Sequence, residues 1–210
     1  MNQSIKHIIA VSLGIVMLGV GIYGNYLPWR KSVAYVLASQ KAANAKSLDD
    51  LKRAIVPALE LNSPIGQPEL VRNLANSLMS VIRNTNNTEL IDASLKFLAG
   101  YYNPIIERGR GMSFGQDLYI LGVIHEISAI QSKNPIYLDT AEQAFLQGAE
   151  SSPNRPQYLY GLMDIYRFKQ DGDRFKSVTD KILEDWPKDE KTRKLVEDLV
   201  IVVPKAENKK

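Results

Sequence analysis

Apolar residues run almost unbroken at the start of the chain and then settle into a rhythm of threes and fours. No formal charge occurs between His7 and Trp29, and within residues 8–28 only Ser12 and Asn25 are overtly polar. As a helix these 21 residues would rise about 30 Å, the hydrocarbon thickness of a bilayer. Tyr23, Tyr26 and Trp29 gather at one end, where an aromatic belt meets the headgroups, and Arg30 and Lys31 close the run. A cleaved signal peptide is the competing reading. Its apolar region would be shorter and would end at a small-x-small site, whereas this run ends Leu27-Pro28-Trp29. The pattern therefore predicts an uncleaved transmembrane anchor over residues 1–31.

Beyond Lys31 the periodicity is that of amphipathic helices. Over residues 48–61 the apolar positions are Leu48, Leu51, Ala54, Ile55, Ala58, Leu59 and Leu61, a single helical stripe. Ser47 supplies an N-cap, Asp49 and Asp50 suit the helix dipole, and Pro57 should kink the helix or limit its first half. A second helix is predicted from Pro68-Glu69 to Ile82 and a third from Glu89 to Tyr102, separated by the turn-rich Asn84-Thr85-Asn86-Asn87-Thr88. Residues 104–115 read as a flexible loop. Four helices follow near 116–131, 135–150, 156–169 and 173–185, and a shorter one near 188–201. No stretch sustains the alternation of a strand. The fold class expected is all-α: a single transmembrane helix, a helical domain over 32–203 and a charged, frayed tail over 204–210.

The helices carry a repeat signal. Ser152-Pro153 and Trp186-Pro187 lie 34 residues apart, the tetratricopeptide period, and each closes a helix of similar length. In that register Leu162 and Tyr166 take core positions of a first helix, and Ala141 and Gly148 take small positions of a second. Phe175 and Thr179 depart from the pattern, standing where a small residue and an aromatic are usual. The reading is of tetratricopeptide-like hairpins in an α-solenoid; an unrelated helical bundle is the alternative.

Composition narrows the function. With no cysteine among 210 residues, disulfide frameworks, thiolate metal sites and thiol nucleophiles are excluded. The formal charge is +3, from 26 Lys and Arg against 23 Asp and Glu. Lys6, Arg30 and Lys31 lie in the anchor region, which has no acid, so residues 32–210 are neutral overall. A nucleic-acid partner loses its electrostatic support. His125-Glu126 is followed by Ala129, not histidine, so the helical two-histidine zinc pair is missing. The glycine-rich Glu107-Arg108-Gly109-Arg110-Gly111 lacks the Lys-Ser/Thr of a phosphate loop. No serine elbow or triad order occurs. The expectation is a non-enzymatic chain with no cofactor and no metal. With Pro187 as register mark, Gln157, Tyr160, Asp164 and Arg167 would line a partner-binding groove, the concave side of a helical repeat. Tyr and Arg are frequent interface anchors.

Two segments resemble a known family. Residues 58–69 (Ala58-Leu59-Glu60-Leu61-Asn62-Ser63-Pro64-Ile65-Gly66-Gln67-Pro68-Glu69) look like the first hairpin after the last membrane helix of bacterial O-antigen ligase/polymerase-like proteins with tetratricopeptide tails. Asn134-Pro135 with Ala141, Phe145 and Ala149, then Ser152-Pro153-Asn154-Arg155-Pro156-Gln157-Tyr158, is similar to the later repeats of such tails. Those ligases carry a polytopic glycan-transferring core, and here there is one span, so no catalytic residue transfers. The resemblance implies a tail module alone: a scaffold for membrane or envelope proteins in polysaccharide assembly, or an accessory or split ligase subunit. A homo-oligomer is a further expectation. Lysine and arginine counts on the two sides of the span slightly favour a cytoplasmic body, but the resemblance implies an extracytoplasmic one.

Overall fold

The computed structural model describes residues 3–111 and 113–202, and within them the secondary structure is helical throughout. The expected tail, 204–210, lies outside the described residues. The chain divides into two compact units, one of Met1–Leu78 with Asp92–Ile105, the other of Met79–Ile91 with Ile106–Lys210.

The first unit begins with a helix that does not stop at Lys31. Helix α1 (Gln3–Val20), a π-helical turn over Gly21–Tyr26 and α2 (Leu27–Ala42) form one continuous rod. Its N-terminal part is long and apolar enough to cross a membrane, and none of it is buried in the protein. Side chains begin to be buried at Lys31, Tyr35 and Ala38, the stripe of α2 that packs on α3 (Leu48–Leu59). The Ser47 hydroxyl caps α3 by accepting from the Asp50 amide at 3.1 Å. Leu51, Ile55, Ala58 and Leu59 are its buried face, and Pro57 is accommodated inside the helix.

Lys31 ties these helices together. Its ammonium donates to the carbonyls of Leu59 at 3.1 Å and Leu61 at 2.7 Å, and also to Oε1 of Gln67. The Leu59 carbonyl is one of those that an α-helix leaves without an amide partner at its C-terminal end, and Leu61 lies just beyond the Glu60 cap. Gln67 begins α4 (Gln67–Arg83). Helix α5 (Thr88–Arg108) starts at an Asn87 cap and passes through Pro104. The irregular loop expected from 104 is therefore shorter. Tyr102 and Ile105 are buried beside the proline, and that burial outweighs the one lost backbone bond. The helix ends at Gly109, whose left-handed φ of 62° lets its amide bond the Ile106 carbonyl at 2.9 Å.

In the second unit α6 (Phe114–Ser132), α7 (Ile136–Ser151), α8 (Pro156–Phe168), α9 (Gly172–Asp185) and α10 (Glu190–Val202) each pack on the next, and α6 also reaches α8. The Phe145 ring of α7 lies between Gly122 of α6 and Gly161 of α8, and a Cβ at either glycine would fall 2.4 Å from the ring. Gly148 meets the Tyr158 ring in the same way. The Tyr158 hydroxyl donates to the Gly115 carbonyl at 2.7 Å. Glycine is needed at these points because only a bare backbone admits the rings. An ionic clasp closes the α7–α9 side: Glu142 accepts from Lys169 at 2.6 Å and from Arg174 at 2.5 Å.

Candidate functional site

The Phe145 interlock sets the spacing of α6 and α8, and one face of α8 carries the predicted groove residues. Gln157, Tyr160 and Asp164 are half-buried and Arg167 is exposed. Their spacing of three, four and three places them along one side of the helix.

Three of the four are engaged within the chain. The Tyr160 hydroxyl donates to Asp189 Oδ2 at 2.6 Å, and that bond, with burial and the carboxylate charge behind it, pushes the phenol up to about 12. Asp189 caps α10, accepting from the Lys191 amide at 3.1 Å and from the Thr192 amide at 3.2 Å. The bond from Tyr160, foremost, holds its carboxyl below the usual range. Tyr160 thus braces the start of α10. The Arg167 guanidinium pairs with Asp164 at 3.0 Å and lies 5.7 Å from the Phe168 ring centre.

The structure adds a residue that sequence reasoning treated only as part of a failed zinc motif. Glu126 of α6 faces Asp164 and Arg167 electrostatically across the α6–α8 contact. Burial pushes its carboxyl up to about 7; the charge of Asp164 adds to this and that of Arg167 offsets it. The only sequence signal was its place beside His125, since its partners lie far along the chain. His125 itself is turned inward, its ring centre 6.3 Å from that of Tyr137. Burial lowers it to about 4, and its Nδ1 has no hydrogen-bond partner. Among the described residues no group of three or more His, Asp or Glu side chains is placed to hold a metal ion.

The face therefore offers an amide, two carboxylates and a guanidinium on a scaffold held by glycine–aromatic contacts. Comparison of the chain with protein-family models, with curated proteins and with solved structures finds no match.

Proposed function

We propose that the chain is a single-pass membrane protein whose tetratricopeptide-like hairpins scaffold another membrane or envelope protein, without catalysis of its own. The observation that carries this reading is the seating of Phe145 between Gly122 and Gly161, which stacks α6, α7 and α8 in order. The helix ends support a repeat. The backbone at Ser152 (φ −149°, ψ 69°) and at Trp186 (φ −129°, ψ 77°) is alike, and these residues lie 34 positions apart. In such a stack the first helices line the concave side; α6 and α8 would be those helices, carrying Glu126, Gln157, Asp164 and Arg167.

The setting in cell-envelope polysaccharide assembly, and an extracytoplasmic body, rest on the family resemblance alone. Affinity capture from solubilised membranes tests the reading. Wild type should retain a discrete partner that the Gln157→Ala/Arg167→Glu variant loses while its helicity is unchanged. Equal recovery by both would remove the groove. A partner that is itself a polytopic glycan transferase would make this chain its accessory subunit. A topology reporter fused after Lys210 and active only in the cytoplasm would overturn the extracytoplasmic placement.

A further inference from the structure

We propose that the loop joining α3 to α4 makes a second contact with the lipid bilayer, with Ile65 at its tip set into the headgroup layer. This inference rests on reading residues 8–28 as a membrane span.

The first support is height. Lys31 lies three residues past Pro28, about 4.5 Å of helical rise. Side chains on a helix lean toward its N-terminus, which here is back toward the membrane. The Lys31 ammonium therefore sits near the level of the last turn of the span. The polar layer of a bilayer reaches about 5–7 Å beyond the hydrocarbon on each side, so the ammonium falls within it. Its acceptors Leu61 O and Gln67 Oε1 are at the two ends of the loop. Both ends are thus pinned at headgroup level.

The second support is what the loop presents there. Between Glu60 and Glu69 the chain has no charge. Ile65 is 62% exposed, whereas Leu59 and Leu70 on either side are buried. The tip is shaped, not slack: the Ser63 hydroxyl donates to the Ile65 carbonyl at 2.7 Å, and Gly66 turns the chain at φ +92°. A large apolar side chain held outward on an uncharged turn at this height fits the acyl–headgroup boundary. Tyr26 and Trp29 are exposed on the rod near the same level, as interfacial aromatics are. The Lys31 charge, meanwhile, is directed into protein carbonyls and away from lipid.

The absence of native cysteine makes the test direct. Full-length Ile65→Cys, Ile15→Cys and Asp49→Cys proteins are labelled with a polarity-sensitive fluorophore. They are reconstituted in vesicles of phosphatidylcholine and phosphatidylglycerol, without spin-labelled lipid and with lipid spin-labelled either near the headgroup or along the acyl chain, the second serving Ile15. Asp49 is exposed at the far end of α3, ten residues from Leu59 and so about 15 Å further from the membrane. The label at Ile65 should shift to the blue and be quenched by lipid spin-labelled near the headgroup, and the label at Asp49 should do neither. Quenching at Ile15 but not at Ile65 would overturn the loop contact and leave the span intact. A blue shift at Ile65 without lipid quenching would also overturn it, since the cover would then be protein. No quenching at Ile15 would remove the span and the loop contact with it.

Discussion

Glu126 and His125 are neighbours in sequence with opposed responses to pH. Glu126 holds its proton to about 7 in the folded chain, against about 4.3 when unfolded. The folded state binds more protons between those values, so this residue's contribution falls as pH rises through them and stays low above. His125 is lowered to about 4 from about 6.5 unfolded, so its contribution falls as pH drops through that window. Each arm is worth about 3.5 kcal/mol at most, at 1.36 kcal/mol per pKa unit, and the two largely cancel. Glu126→Gln should therefore raise the melting temperature at pH 8 and leave a stability that declines steeply between pH 6.5 and 4. Parallel pH profiles for variant and wild type would count against the buried carboxylate. Sequence shows both residues but not this coupling, because Asp164 and Arg167 approach Glu126 only after α7 folds between α6 and α8.

Helices were the most legible level. The starts of α3, α5 and α10 follow from Ser47, Asn87 and Asp189, whose side chains accept from amides two or three residues on. Pro104 misled because a proline's local cost is visible in sequence and the burial of Tyr102 and Ile105 is not. Gly161 gave no periodic signal either, since its importance lies in the Phe145 ring it admits. Gly161→Ala should destabilise by about 1–3 kcal/mol through overpacking. Gly172→Ala, with open space around it, should change stability by no more than about 1 kcal/mol. Thermal melts of the two variants check the contrast. Lys31→Met leaves the Leu59 and Leu61 carbonyls without their ammonium donor, at about 1–3 kcal/mol. Limited proteolysis should then cut residues 60–67 faster than in wild type, and an unchanged rate would show that Lys31 does not hold the loop.

At the scale of the whole chain, the apolar start and the neutral body are both readable from composition, and the continuity of one helix from Gln3 to Ala42 is not. Lys31 counts as a flanking charge in sequence but is buried against α3 in the fold, so the helix that begins as the apolar segment continues into the first unit. The division of the helical body into two units falls within α4 and α5, where no composition shift or linker marks it. Those features suit a first unit continuous with its anchor, and the partner proposed above would bind α6 and α8 of the second unit. Photo-crosslinkers placed at Gln157, at Arg167 and at exposed Asp173 of α9, in the full chain within native membranes, test that claim most directly. A single discrete protein adduct from Gln157 and Arg167, absent from Asp173, is the predicted result. No adduct at the groove positions, or equal adducts at all three, would contradict it.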